Sequence, residues 1–402
     1  MNYKNVYIVG TGAHMPGEPV SNDEINEYIK PINRMSDRIK NKILKENGIL
    51  RRFYGIDREG KTHTSLAGMA KKSIEDCLGR AGVGLDKVSL LCTGTVGGDV
   101  AVPGFANMLQ GELKAPPMET STHTGICASG VIALRHGADA VELGRHEYAL
   151  VAAAEFPSRM FKKSRFEDSG YDADFDSHFL RWMLSDGAGT MLLSNRPAAG
   201  RISLKVKHVH IRSFSGDYPT CMQIGTTEGN NGDSYLDYSS FAAAEKEGAF
   251  LLRQNIRLLP QLFEVLFHEY VGLINRGVFK VGEIDHFLCH YSSEKFAPVV
   301  KDLMDKAGLT SPTEKWYSNL KVKGNTGSAS IFIMLDDFLK EREVRAGQQI
   351  LCFIPESGRF TGGFILLEAV QGGAASEIPR ALPPVEAHEV DDPRLKEMLQ
   401  RL

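Results

Sequence analysis

The chain has 402 residues, 42% apolar and 24% charged. These values exclude disordered and fibrous classes and allow two domains, or two similar halves sharing one core. A net charge of −3 gives no reason to expect nucleic acid or an anionic membrane as partner. No apolar run approaches the roughly 18 residues of a spanning helix. The opening MNYKNVYIVGTG lacks a basic segment followed by a long apolar one, so a cytoplasmic protein with no membrane span is expected.

In chain order, Val6–Gly10 predicts a strand. Leu66, Met69, Ser73 and Cys77 recur at helical spacing ahead of Gly82. Val88–Cys92 and Tyr148–Ala154 predict buried strands, and another starts at Met191 after the turn-like Ser185–Gly189. The second half repeats the rhythm. Ile202–His210 alternates as a strand. Ala244–Asn275 predicts a long helical stretch kinked or broken at Pro260, and Phe287–Cys289 a short strand. A helix is expected over 294–307, another over Ile331–Lys340, and strands over Ile350–Ile354 and Phe364–Val370. The matching order suggests two similar α/β halves, 1–198 and 199–370, with a tail at 371–402. Segments 22–52, 157–179 and 215–240 predict surface loops or helices, with a lid as the rarer alternative.

Six cysteines are scattered without a CxxC pair, so no metal site is expected. Cys92, Cys289 and Cys352 sit in apolar strands and predict inert buried thiols. Cys127 differs. It lies in Thr124–Gly130, just ahead of a helical pattern through Val131, Leu134, Ala138 and Val141. Free amides and the helix dipole there favour a thiolate; a small buried cysteine at a tight turn fits the segment equally well. His290 closes the strand IDHFLCH, where side chains of α/β proteins point to the site face, although a lone histidine is more often structural. Asn325 sits in KGNTGSAS before a helix, a place where asparagine usually serves as turn former or cap.

Taken together in the order Cys, His, Asn, these three residues are far more specific. Thr124–Gly130, His290, Gly324–Ser330, Ser357–Gly363 and Ser185–Gly189 resemble the ketoacyl-synthase III branch of the thiolase superfamily. That resemblance spans roughly residues 3–370. It implies a five-layered α/β/α/β/α fold of two βαβαβαββ halves and a homodimer. It also implies Cys127 as nucleophile, His290 and Asn325 completing the triad, and an oxyanion hole from the Cys127 and Gly358 amides. Acyl groups would arrive on the phosphopantetheine of an acyl carrier protein or coenzyme A, with no cofactor. The opening GTGAHMPGEPVSNDEI and the later NGILRRFYGI are similar to ketosynthase/cyclases that join two β-ketoacyl chains and close a dialkylresorcinol or cyclohexanedione ring.

Several features depart from the fatty-acid-initiating members: Arg359 in the closing loop, TyrSerSer after His290, and Lys295 where an arginine often meets the carrier. Arg359 is therefore a candidate contact to a substrate carbonyl or carboxylate. Glu155, at a strand end, is a candidate for ring closure or a structural acceptor. Lys295 is a candidate carrier contact, with Lys301, Lys306, Lys321 and Lys323 around it. The competing functions are acyl transfer to an oxygen or nitrogen acceptor, a fatty-acid-initiating synthase, a papain-like hydrolase and a non-catalytic partner subunit.

Overall fold

The computed structural model describes residues 2–32, 34–167, 175–227 and 233–373. The expected tail lies outside them from residue 374 onward. Ten strands and six of the longer helices carry the architecture, with the helix Arg34–Asn47 lying outside the repeated pattern. The first half runs β1 (Tyr7–His14), α1 (Leu66–Ala81), β2 (Leu90–Thr95), α2 (Phe105–Leu113), β3 (Glu119–Thr124), α3 (Ser129–Glu142), β4 (Tyr148–Glu155) and β5 (Gly187–Ser194). The second runs β6 (Ile202–Ser213), α4 (Leu259–Asn275), β7 (His286–Cys289), α5 (Ala297–Lys306), β8 (Trp316–Tyr317), α6 (Ser330–Glu341), β9 (Gln349–Glu356) and β10 (Thr361–Gln371). Each half is therefore βαβαβαββ.

The strand order is β8-β7-β9-β10-β6-β1-β5-β4-β2-β3. The five strands of each half lie side by side, and the two sets meet where β1 pairs with β6 through Tyr7↔Lys205 and Ile8↔Leu204. Alternation along the strands builds the layers. Leu90, Cys92, Ala149 and Val151 face an inner core with Ile350, Cys352, Ile365 and Leu367 of the other half. That core also holds the buried faces of α3 and α6. Leu91, Leu150, Leu351 and Phe353 point the other way, into the cluster that contains the buried faces of α1 and α4. Outer helices, half-sheet, inner helices, half-sheet and outer helices make the five layers.

Local chemistry sets the element boundaries. Ser65 caps α1 by accepting the Gly68 amide, and Gly82 ends it in the left-handed region at φ 68°. The long helix expected over Ala244–Asn275 is in fact several pieces. A short helix ends at Lys246, strand Arg253–Gln254 follows, and Asn255 caps a single turn at Ile256–Leu258. Pro260 then lies in the first turn of α4, where its missing amide costs nothing. Gly187–Gly189, expected in a turn, already belongs to β5. A Cβ on Gly189 would come within 2.5 Å of Phe332 Cβ, so glycine lets α6 lie against the strand.

Candidate active site

The ends of the parallel strands deliver the functional side chains to one place. Cys127 follows β3, His290 follows β7, Asn325 lies between β8 and α6, and Glu155 ends β4. All four line a single cavity of about 350 Å³.

Cys127 is 7% exposed. The amides on either side of it, Ile126 N and Ala128 N, both donate to Glu356 Oε2, at 3.3 and 2.8 Å. The carboxylate thus occupies the turn that leads into α3. Burial pushes the Cys127 thiol well above its ordinary value, and the Glu356 and Glu155 carboxyls add to the effect. The expected thiolate is therefore not the resting form. The amides that would have favoured it are taken by a carboxylate, and the sulfur is held as a thiol until a base removes its proton.

His290 is 3% exposed, and its backbone N–H donates to Phe353 O at 2.9 Å. Burial lowers its pKa to about 4, so the imidazole is neutral near pH 7 and able to take or give a proton. Asn325 is held at three points. Its N–H donates to Met183 O, its carbonyl accepts from Ser185 N, and its side-chain Oδ1 accepts from Gly327 N at 2.9 Å. With Oδ1 engaged, the Nδ2 amide remains as the donor. Glu155 Oε1 accepts from Val96 N at 3.0 Å and from the Ser328 hydroxyl and amide. All its described hydrogen bonds fall on Oε1, and burial raises its pKa to about 8.

The peripheral segments form the far wall. Arg159, Met160 and Arg165, then Met222 and Ile224, line the cavity beside Leu262 and Phe263 of α4. Segments 157–179 and 215–240 are thus not mere surface loops, at least over these residues. Their apolar positions showed no period because they pack on a cavity wall rather than on a helix face. Arg159 is anchored by a 2.8 Å ion pair with Asp99, which also accepts the Leu66 and Ala67 amides at the start of α1.

Three sequence candidates lie elsewhere. Arg359 is exposed outside the cavity, and its Nε donates to Tyr218 O at 3.1 Å. The cause is Phe360, fully buried against the Tyr218 ring. Once Phe360 takes the inward position, its neighbour is turned out. Gly358 does not line the cavity either; Ser357 does. The Gly358 carbonyl accepts from Cys221 N and Met222 N. Lys295 is exposed and paired with Glu46 at 2.7 Å. Glu356 was missed, although a carboxylate ending the apolar run ILCFIPE was a visible anomaly.

Residues 275–366 match the family described as 3-oxoacyl-[acyl-carrier-protein (ACP)] synthase III C terminal. A β-ketoacyl-[acyl-carrier-protein] synthase III of Clostridium perfringens is 24% identical over 91% of this chain and 99% of its own. Over nearly its whole length the chain is similar to members of the ketoacyl-synthase III branch of the thiolase superfamily. It is a condensing-type acyltransferase. Among solved structures, cerulenin-bound OleA of Xanthomonas campestris superposes with a TM-score of 0.73 at 19% identity, covering 92% of this chain and 98% of that one. The tetronic acid condensing enzyme AbyA1 gives 0.69 at 18%, covering 90% and 99%. Both likenesses are to the fold. Among the described residues, no helix is long and apolar enough to cross a membrane.

Proposed function

We propose that this enzyme holds a β-ketoacyl group as a thioester on Cys127, joins it to a second acyl thioester by a carbon–carbon bond, and closes the product to a cyclohexanedione or dialkylresorcinol precursor. The observation that carries the reading is the meeting of Cys127, His290, Asn325 and Glu155 in one cavity. In loading, His290 takes the thiol proton as sulfur attacks the incoming thioester, and returns it to the departing carrier thiol. In condensation, Glu155 takes the α-proton of the second thioester. The neutral imidazole N–H and Asn325 Nδ2 hold the enolate oxygen, and the Cys127 thiolate leaves as the new bond forms. Once it has passed that proton to solvent, the same carboxylate takes a second carbon-bound proton; the carbanion attacks the remaining thioester carbonyl, and the ring closes as the carrier thiol leaves and takes up a proton.

The two donors favour condensation over transfer to an oxygen or nitrogen acceptor, which needs no enolate. The extended apolar wall suits acyl chains longer than a primer acetate. Acyl carrier protein or coenzyme A delivers the substrates, carrier docking uses exposed lysines such as Lys295, and the protein acts as a homodimer. Intact-protein mass spectrometry with saturated and β-ketoacyl carriers, followed by product analysis, tests the reading. The expected result is acylated Cys127 and a carbon–carbon-joined cyclic product; an ester or amide product overturns it.

A further inference from the structure

Repetition of the two halves makes β4 and β9 counterparts, and likewise α3 and α6. Each of these strands ends in a buried glutamate, Glu155 in one half and Glu356 in the other. Each glutamate reaches across to the turn that opens the inner helix of the opposite half. Glu155 accepts from the Ser328 amide and hydroxyl, just before α6. Glu356 accepts from Ile126 N and Ala128 N, just before α3. The contacts cross reciprocally: the Asn325 turn is tied to the first half and the Cys127 turn to the second.

At Cys127 the tie has a specific consequence. The amides of residues 126 and 128 are directed to Glu356, whereas the Cys127 amide lies against its own sulfur, on the side of the cavity that the residue lines. We propose that Glu356 is the positioning residue of the nucleophile, turning the Cys127 amide to the cavity as an oxyanion donor and keeping a carboxylate beside the sulfur. The glycines around it leave room for the arrangement. A Cβ on Gly358 would sit 3.0 Å from Ile126 Cδ1 and 3.3 Å from Glu356 Oε1.

The inference rests on Cys127 being the residue that loads. The charged and titratable groups around the sulfur are Glu356 from β9, Glu155 from β4 and His290 after β7, with Arg159, Arg165 and Asp99 in the cavity wall.

Two variants separate position from charge. Glu356→Gln keeps an oxygen for both amides and removes the charge; Glu356→Leu removes both. Iodoacetamide modification of the Cys127 peptide is followed against pH, and thioester loading by intact mass. Glu356→Gln should load within about tenfold of the parent, with its alkylation profile moved about one unit to lower pH, a tenfold faster reaction on the rising limb. Glu356→Leu should load roughly 10²–10³-fold more slowly, the cost of losing one preorganised oxyanion donor. An unshifted profile for Glu356→Gln overturns the charge role, and this variant decides alone should Glu356→Leu not fold. Parent-like loading by Glu356→Leu overturns the positioning role. Should Cys127 of the parent resist alkylation at every pH, the nucleophile assignment fails, and the inference with it. Alkylation without loading by any acyl carrier fails only the proposed substrate class.

Discussion

The turns at 124–130 and 323–330 occupy equivalent places, each leading into a buried inner helix and each tied to the opposite half, yet one is held by neutral backbone groups and the other by a carboxylate. Asn325 is fixed by backbone bonds to Met183 and Ser185, which lie in the first half, and by Gly327 N on its side chain. The Cys127 turn is fixed by a carboxylate 230 residues from Ile126 in sequence. A donor needs only a constant direction, which neutral backbone bonds supply. A nucleophile must change charge during the reaction, and its surroundings are set by groups from both halves.

The strongest break in this comparison is Cys127→Ala, which should abolish the acyl mass increment altogether while leaving the fold intact. Asn325→Ala should separate the two turns: loading within about threefold of the parent, but condensation roughly 10²–10³-fold slower, read from product formation after pre-loading. Glu155→Gln sharpens the electrostatic side. Burial holds the folded Glu155 near 8, above its ordinary 4.5. The folded state therefore keeps a proton that the unfolded chain has lost across that window. The stability this contributes is present below the ordinary value and fades as pH rises through about 8. Condensation by the parent should climb toward pH 8 as the carboxylate ionises, and Glu155→Gln should lose both dependences in denaturant titrations and rate profiles. The smallest effect belongs to Gly130→Ala. Its Cβ would lie 2.7 Å from Phe332 Cε2 and from Ser328 O, where α3 meets the turn into α6. About 1–3 kcal/mol of stability should be lost, seen as a lower urea midpoint with an unchanged slope.

The strands at the heart of each half were legible because their residues are apolar on both faces, as in Leu150–Ala154. The edge strands were not. Glu119–Thr124 is polar and at most half-buried, and Trp316–Tyr317 is two residues long, so neither carries a periodic signal. Cys127, His290 and Asn325 could be found because each closes a motif at an element end. Glu356 and Arg159 could not be placed, since their partners lie in other parts of the fold. The Arg359 expectation failed through a local competition: its aromatic neighbour Phe360 is the better occupant of the interior.

Where β1 meets β6, two register pairs join the half-sheets, and the residues ahead of β1 extend the seam through Val206 N to Val6 O, Tyr3 N to Lys207 O and the Asn2↔His208 bridge. That seam fixes the sheets edge to edge, while the mutual placement of the two active-site turns also depends on the inner helices and on the crossed glutamates. Catalytic competence is then a property of docking. A bulky intrusion between α3 and α6 would pull thiol and carboxamide apart while each sheet kept its ladder, giving a protein that retains its circular dichroism and has lost its chemistry.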